Sequence, residues 1–222
     1  MNRLRTVLGV LLLMMVASCG DDDYHYPSVK LEFLTALSGE NGVLQSVLTD
    51  EGERLDVAVD GTGLSFKADT ATRIVTNYEW MTTSSGSKGV RLYAGIVPVS
   101  PTPRPADEFK DGICTDAAEV TSIWMGLDYL NILLAIKAQN QSHAFHFIED
   151  QVLTDAETGN REVYLTLYHD AGDDLQAYTQ RVYLSVPLQK YLSDLKGEKL
   201  TVHFSLHTND GTVKTYDMDY TL

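Results

Sequence analysis

Apolar residues recur at every second position through most of this chain, in short runs broken by turn-forming residues. Val29, Leu31, Phe33 and Thr35 alternate with Lys30, Glu32 and Leu34. A period of two places one set of side chains on a buried face and the other on a solvated one, which is the signature of a strand. Runs of the same kind cover residues 43–48, 55–59, 73–81 and 90–97. They continue at 118–125, 129–137, 144–149, 162–169, 178–186, 199–207 and 212–220. Turn signals lie between them, among them Asp50-Glu51-Gly52-Glu53, Gly61-Thr62-Gly63, Gly126-Leu127-Asp128 and Asn209-Asp210-Gly211. A flexible hairpin loop is expected over residues 82–89. No long segment carries a helical period, so the chain is expected to be all-β. About five strands in the first part suit a small OB-like barrel. About seven in the second suit a two-sheet, immunoglobulin-like β-sandwich. One short helical turn is expected at 187–195. Ser185 would cap it, and Leu188, Tyr191, Leu192 and Leu195 would share a face.

Of six prolines, four stand at Pro98, Pro101, Pro103 and Pro105. Proline donates no backbone hydrogen bond to a sheet and favours extended connections. The expected organisation is a signal segment at residues 1–18 and an acidic tether at 19–27. An OB-like barrel at 28–98, a proline-rich linker at 99–106 and a β-sandwich at 107–222 complete it.

The N-terminal segment carries Arg3 and Arg5, then a mostly apolar stretch over residues 6–17. That is shorter than the roughly 20 residues a membrane-spanning helix needs. Val16-Ala17-Ser18-Cys19 resembles the lipobox of bacterial lipoproteins, in which the chain is cut before the cysteine and the thiol receives a diacylglycerol. Cys19 is therefore the expected lipidation site, and the membrane is a partner through that lipid. Asp21, Asp22 and Asp23 follow at once. Acidic residues there resemble the signal that sends lipoproteins to the cell exterior, which implies an outer-membrane, surface-exposed location. Residues 1–18 hold two arginines and no acid, so their removal takes the net charge from −14 to −16. Such a surface repels phosphate backbones, and nucleic acid is not an expected partner.

Chemistry-bearing residues are scattered. Cys114 has no partner in the chain if Cys19 carries lipid, and it reads as a structural thiol. His143 and His146 are three apart and point to opposite faces of a strand. His203 and His207 share a face, roughly 13 Å apart. Neither pair suits one metal ion. Asp170-Ala171-Gly172-Asp173-Asp174 offers clustered oxygens without the longer ligand ladder of a calcium loop. Gly61-Thr62-Gly63 and Ser85-Gly86-Ser87-Lys88-Gly89 match neither a dinucleotide nor a phosphate-binding fingerprint. No catalytic residue, metal set or cofactor is therefore expected. Tyr78, Trp80 and Tyr93 are the candidate ligand platform, since OB-folds often bind oligosaccharides through aromatic side chains.

Several segments together resemble the NigD-like lipoproteins of Bacteroidales. They are Cys19-Gly20-Asp21-Asp22-Asp23-Tyr24, Arg73-Ile74-Val75-Thr76-Asn77-Tyr78 and Ile123-Trp124-Met125-Gly126-Leu127-Asp128-Tyr129-Leu130-Asn131. His146-Phe147-Ile148, Leu165-Thr166-Leu167-Tyr168-His169-Asp170 and Arg181-Val182-Tyr183-Leu184 complete the set. The resemblance implies an N-terminal OB-like domain and a C-terminal β-sandwich, with no established catalytic activity. The expected role is a non-catalytic interaction or accessory module of the cell envelope, with an envelope protein as its partner. The family is named for a bacteriocin-associated operon, which suggests immunity against a toxin as one alternative. Glycan binding is another.

Overall fold

The computed structural model describes residues 30–83 and 86–221. Cys19 and Asp21, Asp22 and Asp23 lie outside the described residues. Five strands open the fold: β1 (Lys30–Ser38), β2 (Leu44–Leu48), β3 (Arg54–Asp60), β4 (Ala71–Thr82) and β5 (Lys88–Ile96). They close into a barrel in the order β1-β2-β3-β5-β4. Closure needs one parallel pairing, β3 on β5, and an antiparallel seam of β1 on β4. Leu34, Ala36, Val47, Leu55, Ile74, Tyr78, Val90 and Leu92 fill the interior. The OB-like barrel expected from the alternating runs is present.

Eight further strands follow: β6 (Arg104–Pro105), β7 (Glu119–Gly126), β8 (Tyr129–Ala138), β9 (Ala144–Thr154), β10 (Arg161–Asp170), β11 (Tyr178–Pro187), β12 (Lys199–His207) and β13 (Val213–Thr221). They form a five-stranded sheet, β13-β12-β10-β9-β6, and a three-stranded sheet, β11-β8-β7. The two inner faces meet over Leu130, Ile132, Leu134, Phe147, Leu165, Leu184, Val202 and Phe204, all at most 1% exposed. This is the sandwich.

The proline-rich stretch carries more structure than a linker needs. Val99 donates its N–H to the Tyr183 carbonyl (2.9 Å) and accepts from the Ser185 N–H (3.0 Å), which extends the edge of β11. Five residues on, β6 pairs in parallel with β9 in the other sheet. Lys190 Nζ donates to the Pro103 carbonyl at 2.8 Å. The segment thus crosses from one sheet to the other and is hydrogen-bonded at both ends.

The helical turn is α1 (Gln189–Leu192), shorter than expected. Leu188 stands at its N-cap without a side-chain cap, and Ser185 takes no part in it. Tyr191 is 3% exposed and donates to Glu149.

Candidate interaction site at the barrel–sandwich junction

Strand parity decides what each sheet offers to its neighbour. On β8, Leu130, Ile132, Leu134 and Ile136 enter the sandwich core, so Tyr129, Asn131 and Leu133 must face the other way. On β11, Leu184 and Val186 point inward while Tyr183 and Ser185 point outward. The barrel does the same in reverse. Leu34 and Ala36 of β1 and Ile74 of β4 line its interior, which sends Phe33, Thr35, Arg73 and Val75 outward. These two outward faces meet. Register then aligns Ser185, Asn131 and Trp124 in one row across the three-stranded sheet, with Tyr183, Leu133 and Ser122 in the next.

Arg73 sits at the centre of the contact, 4% exposed. Its Nε donates to Ser185 Oγ and its Nη1 to Thr35 Oγ1, both at 3.2 Å. Its Nη2 donates to Asn131 Oδ1 at 3.0 Å and pairs with Asp50 Oδ1. The second Asp50 oxygen accepts from Trp124 Nε1 (2.8 Å) and Asn131 Nδ2 (2.9 Å). Ser185 closes the circuit by donating to Asn131 Oδ1 at 2.8 Å. The guanidinium carbon lies 4.6 Å from the centre of the Tyr129 ring and 5.7 Å from that of Phe33. Buried charge is tolerable only when paired and hydrogen-bonded, and here both partners are. The backbone joins in, because the Leu127 N–H donates to the Asp50 carbonyl at 3.0 Å. A β-carbon on Gly126 would stand 2.2 Å from Asp50 Cγ, so this close approach needs glycine. We call this arrangement the latch.

Beside the latch the two faces part into a cleft of about 310 Å³. Leu31, Phe33, Val75, Trp124, Leu133 and Tyr183 form its apolar walls, and Glu32, Asp50 and Glu51 its rim. The Phe33 and Trp124 rings meet edge to face, 5.2 Å between centres. Leu31 extends the outward stripe of β1 past the covered region and is 54% exposed. The cleft is pre-formed, because the hydrogen bond to Asp50 fixes the Trp124 indole.

The candidate platform residues occupy three different settings. Tyr78 is 3% exposed inside the barrel and donates to Glu32 Oε2 at 3.0 Å. Trp80, two residues further along β4, is 49% exposed and lines a separate cleft of about 640 Å³. Tyr93, on the neighbouring strand β5, is half-buried and donates at 2.5 Å to Glu79, which lies on the opposite side of β4 from Tyr78 and Trp80. The three rings do not share one surface, since Tyr78 belongs to the core. The Trp80 cleft is the larger, but Glu53, Arg54, Asp56 and Lys88 place both signs of charge along it. The junction cleft is smaller, more apolar and acidic at its edge. None of the residues that build it was a candidate site residue in the sequence, although Val75, Trp124 and Tyr183 lie in the segments that resemble the NigD-like family.

The histidines and acids also find structural employment. His143 Nδ1 is 2.9 Å from His169 Nε2, and His143 Nε2 is 3.1 Å from Asp174 Oδ2. Asp174 further accepts from the N–H groups of Gln139 (2.7 Å), Asn140 (3.2 Å) and Gln141 (3.3 Å). A carboxylate so fully supplied with donors pins one loop to another and is not a vacant ion ligand. Among the described residues no group of three or more His, Cys, Asp or Glu side chains converges as a metal set. Cys114 is free and half-buried.

The Gln139 N–H foremost, against the opposing effect of burial, holds the Asp174 carboxyl down to about 2. A depressed carboxyl stabilises the fold fully above its unfolded value of about 3.9, and the contribution fades as pH falls through the folded value. Asp174→Asn should therefore melt below wild type at neutral pH, with the gap closing between about pH 4 and pH 2. Melting curves showing a constant gap over that interval would contradict this role.

Residues 96–220 match the family model of the NigD-like C-terminal beta sandwich domain. Comparison with curated proteins finds no match. Among solved structures, a NigD-like immunity protein from Bacteroides caccae is 36% identical with a TM-score of 0.73. That match covers 88% of this chain and 99% of the other. A protein of unknown function from Bacteroides vulgatus has the same fold at 18% identity, with a TM-score of 0.66 over 88% of this chain and 92% of its own. The chain belongs to the NigD-like family.

Proposed function

We propose that the protein is a non-catalytic, lipid-anchored interaction module of the cell envelope, and that the junction cleft is its recognition site. One observation carries this reading. Two folded units are locked by a buried polar latch, and the lock holds open an apolar, aromatic-walled cleft between them. Ligand sites favour such inter-unit clefts, and a rigid site loses little entropy on binding. The groups able to do chemistry nearby already have structural partners: Asp50, Arg73, Asn131 and Ser185 satisfy one another. The lipobox supports attachment through Cys19, and Asp21, Asp22 and Asp23 support export to the surface of the outer membrane. Interception of a toxin is the favoured form of the reading, because the relative from Bacteroides caccae is a NigD-like immunity protein.

Site-specific crosslinking in intact cells tests it. A photoreactive residue in place of Leu31 should yield a defined protein adduct, and one in place of Val213 on β13 should not. A polysaccharide adduct would favour glycan binding instead, and no adduct at Leu31 would reject the site. The anchor is tested in the same cells: Cys19→Ala should leave the membrane fraction, and its persistence there would reject lipidation.

A further inference from the structure

We infer that the junction cleft takes a cationic polypeptide segment, which seats an apolar side chain beside Phe33 and Trp124 and sets basic groups against the β2–β3 turn. This deepens the reading above by naming the partner's chemistry, and it rests on that reading's choice of site.

The walls call for an apolar guest. Leu31, Phe33, Val75, Trp124, Leu133 and Tyr183 present carbon, and the indole N–H of Trp124 is already taken by Asp50. The edge calls for positive charge. No lining residue is basic, and the sharp turn between β2 and β3 carries Glu51 and Glu53, both exposed, on either side of Gly52. Burial pushes the Tyr78 hydroxyl above its ordinary range, the hydrogen bond to Glu32 adds to this, and the charges of Glu51 and Glu53 add again. Asp50 faces the same cleft, but its charge is answered by Arg73.

Beyond the cleft, the chain's net charge of −14 attracts cations and repels anionic lipid and nucleic acid. An apolar anchor fixed in a pre-formed pocket and flanked by charge pairs is a common design of specific interfaces. An acidic surface alone would not choose between a cationic peptide and any other cation. The apolar cleft beside it makes the choice, because a small cation gains nothing from the ring walls.

Isothermal titration of the full mature chain carrying Cys19→Ser tests the inference with three dodecapeptides. The probe repeats Lys-Leu-Lys-Ser, one control replaces leucine by serine, and the other replaces lysine by glutamate. The probe is expected to bind with a Kd on the order of tens of micromolar, and each control about tenfold more weakly or not at all. Glu51→Gln with Glu53→Gln should weaken the probe about tenfold, as should Leu31→Ser. Asp217→Asn with Asp219→Asn, the same charge change on β13, should leave it within about twofold. Equal weakening by the two charge pairs would overturn the inference, as would equal affinity for the serine control or no binding of the probe. Each of these failures is distinct from failure of the crosslinking at Leu31, which reports on the site whatever its guest.

Discussion

Asp50→Asn is expected to destabilise the protein by about 3–5 kcal/mol, because it leaves the Arg73 guanidinium buried without a counter-charge. The side chains of Arg73 and Asp50 are 2% and 14% exposed, so water cannot replace the missing carboxylate. For a chain of this size the loss corresponds to a fall of roughly 10 °C in the temperature at which the junction opens. Removing the cation instead should cost a similar amount. Arg73→Met strands the Asp50 carboxylate, although Trp124 and Asn131 still donate to it. Replacing both at once, as Arg73→Met with Asp50→Leu, should cost clearly less than the sum of the single changes. Neither buried charge is then left alone. Urea denaturation of the four proteins, taken at the transition that opens the junction, measures the cycle, and simple additivity would show that the pair is not coupled.

Gly126→Ala should be nearly as damaging, for a steric reason. The added methyl would sit 2.2 Å from Asp50 Cγ and 2.5 Å from its Cβ. Aspartate is too short to swing clear while its base is blocked, so it must leave Arg73, Trp124 and Asn131 together. The β7–β8 turn cannot retreat either, because Leu127 is bonded to the Asp50 carbonyl and already has a positive φ of 51°. A loss of about 2–4 kcal/mol is expected, in the range of other overpacked or network-breaking changes. The same substitution in an Asp50→Gly background should cost much less, since both the obstructing carboxylate and the β-carbon beneath it are gone. An undiminished cost there would place the strain elsewhere.

These two changes touch what was least legible in the sequence. Period-two alternation marked nearly every strand, because a sheet with one buried face writes its parity directly into residue order. Residues 129–137 read as a strand, and β8 runs Tyr129–Ala138. The same parity indicates that Tyr78 and Trp80 lie on one side of β4. It carries no information about where the barrel interior ends, so a core tyrosine and an exposed tryptophan looked alike. The latch left no local pattern at all. Arg73, Asp50, Asn131 and Ser185 come from four strands or turns, and Arg73 is 112 residues from Ser185. Ser185 even suggested a helix cap, because a serine two residues before a proline fits that role locally. The one available hint lay in the segments resembling the NigD-like family. Residues 73–78 and 123–131 supply Arg73, Trp124, Gly126, Tyr129 and Asn131, so the latch and those segments largely coincide.

The proline stretch teaches a related lesson. Proline withholds one hydrogen-bond donor, but Val99 and Arg104 between the prolines retain theirs, and the carbonyls remain free to accept. Val99 and the Arg104–Pro105 strand use this freedom to pair with both sheets. A stretch that composition marks as a linker also stitches the two sheets together.

On this reading the latch locks the barrel and the sandwich into one rigid body, with the recognition cleft in the seam. Differential scanning calorimetry of the full mature chain, with and without Asp50→Asn, is the decisive test. The wild type should unfold in a single cooperative transition, and the variant should separate into two, one for each unit. Two transitions already present in the wild type, and unchanged in the variant, would contradict the claim.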